Sequence, residues 1–334
     1  MSFTAIELFA GAGGLALGIE RAGFNTIGLV EIHKDAANTL RQNRPKWNII
    51  QKDIADISQL DLENFFNIKK YDLDLLSGGA PCQSFSYAGK RLGLDDARGT
   101  LFYHYALFLR KLQPKTFLFE NVKGLLTHDK KRTYKTIIDI LAQGYNLQVK
   151  LLNAWDYSTP QKRERLIIIG IRNDLNIKIE YPIRHKYKPV LRDILLDVPP
   201  SDGVKYSEHK RKIFELVPPG GCWRDIPQDI AKEYMKSCWN MNGGRTGILR
   251  RLSLDEPSLT VLTSPSQKQT ERCHPLETRP FTIRENARCQ GFPDDWVFLG
   301  SISEQYKQIG NAVPVNLAYE IAKKIYEGLL KWIT

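Results

Sequence analysis

Cysteine is scarce in this chain of 334 residues, and what little there is does not pair. The five cysteines (Cys82, Cys222, Cys238, Cys273 and Cys289) are an odd number, widely spread, with no Cys-x-x-Cys spacing. That pattern disfavours a disulfide framework and a structural zinc site, and it suits a reducing cytoplasm. Long apolar runs are absent too. None approaches the ~18 residues of a membrane span, so no membrane partner is expected. The first residues, Met1-Ser2-Phe3-Thr4-Ala5-Ile6-Glu7, lack the basic n-region of a secretory signal. Internal repeats and low-complexity tracts are also missing. These absences argue against secreted, membrane and structural-zinc readings, and a cytoplasmic globular protein without a metal is the expectation.

Hydrophobic residues make up 42% and charged residues 25%, an ordinary globular balance. The net charge is +11, and its position is informative. Residues 1–100 carry 11 basic and 12 acidic side chains, residues 101–250 carry 27 and 15, and residues 251–334 carry 10 and 10. All of the excess lies in the middle of the chain. A localised basic surface attracts a polyanion through counterion release, which points toward nucleic acid.

Strand and helix signals alternate through the first half. Apolar runs at Thr4–Phe9, Thr26–Glu31, Leu73–Gly78, Thr116–Asn121, Leu147–Asn153 and Arg165–Arg172 read as strands. Helical patterns fall between them at Gly14–Ala22, Lys34–Asn43, Leu101–Leu112 and Thr133–Ala142. This spacing predicts an α/β fold, a mostly parallel Rossmann-like sheet with helices on both faces. After Ile183 the texture changes to proline- and glycine-punctuated sequence with scattered aromatics. The expected division is 1–183 with 281–334 as one domain, and 184–280 as a smaller loop-rich one. Asn316–Trp332 reads as an amphipathic helix that packs back on the first domain.

Several local patterns carry chemistry. Phe9-Ala10-Gly11-Ala12-Gly13-Gly14 follows a strand and opens a helix, so backbone N–H groups are available to a ligand at the helix start. Glu31, 20 residues after Gly11, stands where a carboxylate accepts ribose hydroxyls. These two features indicate a nucleoside-containing cofactor without separating a dinucleotide from S-adenosylmethionine. Asp53 ends the next short apolar run. Gly78-Gly79-Ala80-Pro81-Cys82-Gln83-Ser84-Phe85-Ser86 presents a thiol at the carboxyl edge of the sheet, where open α/β folds bind ligands. The stretch after it, with Gly89, Gly93, Gly99, Lys90, Arg91 and Arg98, reads as a basic flap. Glu120 ends another strand at the same edge. Arg163 and Arg165 stand at i and i+2, which project to one face of a strand. Gln308-Ile309-Gly310-Asn311-Ala312-Val313-Pro314 reads as a turn before the last helix.

Taken in this order, these segments resemble the cytosine-C5 DNA methyltransferases of the bacterial restriction–modification type. The resemblance runs through Phe9–Gly14, Glu31, Asp53, Pro81-Cys82-Gln83, Glu120-Asn121-Val122, Gln161-x-Arg163-x-Arg165, Arg284–Pro293 and Gly310–Pro314. It leaves about a hundred residues unmatched where that family keeps its variable target-recognition domain. Ile32 stands where many members carry an aromatic residue against the adenine, and Ala80 where they often have proline or phenylalanine.

The resemblance implies a catalytic set of Cys82, Glu120, Arg163 and Arg165. Cys82 would add to cytosine C6, Glu120 would hold a proton at N3, and the two arginines would hold the base and its phosphate. It implies S-adenosylmethionine, released as S-adenosylhomocysteine, bound by Phe9, Ala10, Gly11, Gly13, Gly14, Glu31, Ile32, Asp53, Ile54, Pro81, Leu101, Asn311, Ala312 and Val313. Double-stranded DNA is the implied partner, with the cytosine flipped out of the stack, and a partner restriction endonuclease is a further expectation. The expected DNA contacts are Gln83, Ser84, Ser86, Lys90, Arg91 and Arg98 in the flap, and Arg245, Arg250 and Arg251 in the basic middle. A monomer is expected. A tRNA methyltransferase on the same scaffold and a catalytically silent DNA-binding paralogue are the alternatives.

Overall fold

The computed structural model describes residues 2–81, 100–240, 245–265, 267 and 270–334. Nine strands occur among them: β1 (Thr4–Leu8), β2 (Asn25–Val30), β3 (Ile49–Ile50), β4 (Leu75–Gly78), β5 (Thr116–Val122), β6 (Tyr145–Asn153), β7 (Gln161–Lys162), β8 (Glu164–Arg172) and β9 (Ser258–Leu259). Seven form one sheet in the order β3-β2-β1-β4-β5-β8-β6, and β7 pairs with β9 in a small separate ribbon. Pairing is parallel from β3 to β5, while β8 runs antiparallel to both β5 and β6. The mostly parallel α/β arrangement expected from the alternating pattern is what forms.

The helices are α1 (Gly14–Arg21), α2 (Lys34–Asn43), α3 (Ile54–Ile57), α4 (Leu62–Phe66), α5 (Leu101–Leu112), α6 (Arg132–Leu141), α7 (Arg192–Leu195), α8 (Glu208–Glu215), α9 (Gln228–Met235), α10 (Ile283–Cys289), α11 (Ile302–Asn311) and α12 (Val315–Ile333). Strands with both faces buried read as near-continuous apolar runs, and β8 shows why: Leu166–Ile169 are all buried. One face of the sheet packs Ile6, Leu76, Phe117, Phe119 and Ile168 against Phe102, Phe108 and Ile137 of α5 and α6. The other packs Ala5, Leu75, Leu118, Ile167 and Ile169 against Leu15 and Ile19 of α1 and Ile321, Ile325 and Leu329 of α12. The last helix therefore returns to the first, as expected. Their crossing is close: a Cβ on Gly18 would lie 2.5 Å from Ala318 Cβ.

Two further clusters organise the rest. Leu29 and Leu40 of the sheet domain pack with Leu191, Leu252, Val261, Phe281, Trp296 and Tyr306. Ile213, Phe214, Val217, Ile226, Met235, Ile248, Leu249 and Cys273 form a separate small core. One expectation is corrected here. Gln308–Asn311 are not a turn but the final residues of α11, and the turn before α12 is only Ala312-Val313-Pro314.

Candidate active site at the carboxyl edge of the sheet

The glycine turn after β1 is held from two sides. Phe9, Gly11 and Gly13 have left-handed backbones, with φ of 59°, 55° and 87°. Glu31 is buried just beyond β2; its Oε2 accepts the Gly11 N–H and its Oε1 the His33 N–H, each at 2.7 Å. Gly13 and Gly14 are required by packing. A Cβ on Gly13 would meet Leu40 Cδ2 at 2.6 Å, and one on Gly14 would meet the Val313 carbonyl oxygen at 2.2 Å. At Gly11 the space a Cβ would fill is open. The close approach at Gly14 brings Ala312 and Val313 to the start of α1, with Ala312 buried and Asn311 exposed.

Ile32, next to Glu31, is 56% exposed. Asp53 follows β3 and caps α3, its Oδ1 accepting the Ala55 N–H at 2.8 Å, with Ile54 buried behind it. Glu31 and Asp53 thus leave adjacent strands at one edge. Pro81 is exposed, and Leu101, the first residue of α5, is half-buried. Motif reasoning missed Glu7 on β1. It is buried, its Oε2 has no hydrogen-bond partner among the described residues, and burial, then the Glu31 charge, raise its carboxyl well above the usual range. Its only sequence signal is a lone acid inside an apolar run.

Glu120 and Arg165 meet at the same edge. Arg165 Nε donates to Glu120 Oε1 at 2.7 Å, and both side chains are nearly buried. Antiparallel register explains the contact, since Val122 lies opposite Arg165 and Glu120 opposite Ile167, making the pair diagonal neighbours. A Cβ on Gly79 would lie 2.6 Å from Glu120 Oε2, so the carboxylate rests against the chain two residues before Pro81. Asn121 Nδ2 donates to the Ala80 carbonyl at 3.0 Å and braces the same segment. Cys82, Gln83, Ser84, Ser86, Lys90, Arg91 and Arg98 lie outside the described residues.

Arg163 lies just before the start of β8 and does not share a strand face with Arg165. It sits between β7 and β8, almost fully buried, where Nη1 donates to Val261 O at 3.0 Å and Nη2 to Gly310 O at 2.7 Å and Ala312 O at 3.1 Å. Burial pushes its pKa down to about 9, so it stays protonated at neutral pH. Gln161 adds to this knot, donating to Cys289 O and Gln290 Oε1 and accepting from Val261 N. The Arg163 guanidinium therefore ties three chain segments together, where a base or phosphate contact was expected.

Arg251 is corrected on similar grounds. It is buried and donates to Val217 O, Phe214 O, His274 O and Thr278 Oγ1, leaving no route to a base edge. Arg245 is half-buried over the Trp223 ring and donates to the Cys238 and Trp239 carbonyls. Arg250 is half-buried, with Glu256 3.6 Å away. Among the described residues no group of three or more His, Cys, Asp or Glu could hold a metal ion.

Comparison with known proteins agrees with this geometry. The chain is 56% identical to the Type II methyltransferase M.Sau96I of Staphylococcus aureus over 97% of its own length and 75% of the relative. It is 52% identical to the Type II methyltransferase M.Eco47II of Escherichia coli, over 97% and 78%. Among solved structures, a candidate DNA modification methyltransferase from an E. coli prophage superposes with a TM-score of 0.74 at 26% identity, covering 98% of this chain and all of that one. DNMT2 of Spodoptera frugiperda shares the fold, with a TM-score of 0.63 at 19% identity over 97% and 100%. A family model for C-5 cytosine-specific DNA methylases matches residues 3–327, and the chain belongs to that family.

Proposed function

We propose that this protein transfers a methyl group from S-adenosylmethionine to C5 of a cytosine flipped out of a short specific duplex DNA site, as the modification half of a restriction–modification pair. The observation that carries the reading is the Glu120–Arg165 pair, lodged against Gly79 at the edge that also bears the glycine turn. A buried carboxylate gripped by one guanidinium is suited to hold a proton at N3 of a pyrimidine, and Arg165 has further donors for its O2. Cytosine C5 is a poor nucleophile, so the ring needs activation first. The Cys82 thiolate would bond to C6 while Glu120 supports the proton at N3, which makes C5 nucleophilic enough to take up the methyl group; loss of the C5 proton to water then re-forms the C5–C6 double bond and expels Cys82 as thiolate. No atom involved is reachable in a stacked duplex, which requires flipping.

The open space at Gly11, the held Glu31 carboxylate and the exposed Ile32 fit S-adenosylmethionine, with Glu31 toward the ribose hydroxyls and Ile32 and Asp53 toward the adenine. Bound there, that cofactor supplies an electrophilic sulfonium methyl group and leaves as S-adenosylhomocysteine. Residues 184–280 would read the target site, supported by their small separate core. The protein would work as a cytoplasmic monomer.

Trapping on duplex DNA containing 5-fluorocytosine tests this reading. The parent should form a covalent adduct; Cys82→Ala should form none while still binding cofactor, and Glu120→Gln should slow transfer by about 10²-fold. Methyl incorporation into tRNA but not duplex DNA, or turnover without Cys82, would overturn it.

A further inference from the structure

The segments around Arg251 and Cys273 run side by side, bridged in parallel at those two residues. Cys273 N donates to Arg250 O at 2.9 Å, and Leu252 N to Cys273 O at 3.0 Å. Alternation in such a pair sends Arg251 and Cys273 to one side, where both are buried, and Arg250 and Arg272 to the other. Adjacent extended chains lie about 4.8 Å apart, so two guanidinium side chains start as lateral neighbours. Like charges in this relation are destabilising, and burial followed by the Arg250 charge pushes the Arg272 pKa down to about 10.

Neighbouring carboxylates offset this only in part. Glu256 approaches Arg250 at 3.6 Å, and Arg272 Nη1 donates to a backbone carbonyl, Glu271 O, at 2.8 Å. The Glu271 carboxylate is already engaged by Lys210, the Tyr234 hydroxyl and the Leu249 N–H. Among the described residues, the Nε atoms of both Arg250 and Arg272 are buried without an acceptor. Buried donors without partners call for an explanation; these two Nε atoms are shut off from solvent, so an anion with several oxygens would meet the repelling pair at its terminal nitrogens. Arg272 also lines a crevice with Val261, Leu262, Ser264 and Thr270, the stretch whose Val261 carbonyl anchors Arg163.

We propose that Arg250 and Arg272 together grip one backbone phosphate of the DNA substrate, an assignment that rests on the duplex-DNA reading above. A phosphate rather than a guanine edge fits because the Arg250 side chain is recessed, only 21% exposed. A phosphate protrudes to meet a recessed donor, whereas a base edge lies deep in the groove and needs a side chain that reaches out.

The test is equilibrium binding of the full chain to cognate and unrelated duplexes across a salt series, with Arg250→Gln, Arg272→Gln, the double variant and Arg272→Lys. Each glutamine should lower the slope of log affinity against log salt by about one unit, the pair by about two, equally for both duplexes. Arg272→Lys should keep the parental slope. Thermal midpoints of the glutamine variants should not fall, because a repulsion is removed. An unchanged slope overturns the proposal, whether with methylation spreading to sites that lack one guanine, which makes the pair a base reader, or with a lowered midpoint, which makes it structural. A parent protein that fails to bind duplex DNA defeats the DNA reading instead; a parent that binds, with variants of unchanged slope, defeats only the phosphate assignment.

Discussion

Replacing Arg163 by methionine removes the cation from the knot between β7, the β9 segment and the end of α11. Three carbonyls lose a donor: Val261 O, Gly310 O and Ala312 O. Ala312 O keeps a second donor, Gln290 Nε2 at 3.2 Å, so two buried acceptors are orphaned. At about 1–3 kcal/mol for each unsatisfied buried group, the expected loss is about 3 kcal/mol. Methionine fills much of the volume and removes a costly buried charge, which keeps the loss from growing further. Urea unfolding should show a lower midpoint with an unchanged slope. Cofactor affinity should also fall, because Gly310 and Ala312 lead to the Val313 carbonyl that abuts Gly14. Unaltered stability together with lost DNA binding would refute this reasoning and return Arg163 to the substrate.

Glu7 sets a pH dependence. A carboxyl whose folded pKa is raised gives stability fully present below its unfolded pKa, near 4.5, and lost as pH rises through the folded value. Glu7→Gln should therefore match the parent near pH 4 and exceed it in unfolding free energy at pH 8; equal stabilities at pH 8 would rule this out. Glu31→Ala should weaken S-adenosylmethionine binding by about 1.5–3 kcal/mol by calorimetry, while also freeing the Gly11 and His33 N–H groups; unaltered affinity would remove Glu31 from the site. Exchanging residues 184–280 for those of a relative, with Leu191, Leu195, Leu252 and Val261 retained for their packing on Phe281 and Trp296, should move the methylated site, read by sequencing, and leave C5 chemistry intact. Retention of the original site would place sequence reading in the sheet domain.

Much of this architecture was legible because local signals agreed with tertiary demands. The apolar runs of β5 and β8 are buried on both faces, so hydrophobic continuity alone marked them. Gly13 and Gly14 were visible for the same reason, since a close approach leaves room only for glycine. Arg163 shows where sequence stops. Its spacing from Arg165 is right for a shared strand face, but the partners that claim it lie about 100 and 150 residues away. Arg251 and Arg250 are adjacent in sequence, and only the bridge to Cys273 separates the buried one from its neighbour. The end of α11 was hidden because Gly310-Asn311 carries a turn composition, while helix packing against Leu262 requires the glycine.

The return of α12 to α1 has a consequence in time. The strands of the main sheet are complete at Arg172, but the helix that closes one of its faces begins at Val315. At 5–20 residues per second, roughly 7–30 s of synthesis separate the two events. Throughout that interval Leu15, Ile19, Leu118 and Ile167 lack the partners that α12 supplies. The nascent chain on the ribosome thus carries an open apolar face, the kind of surface that general chaperones hold. Gly310 and Ala312, which anchor Arg163, are made in the same late stretch. A nascent chain held with residue 175 just clear of the ribosomal exit tunnel would therefore display every strand of the main sheet without a closed core, and no methyl transfer can begin until the C-terminal segment has been translated and docked.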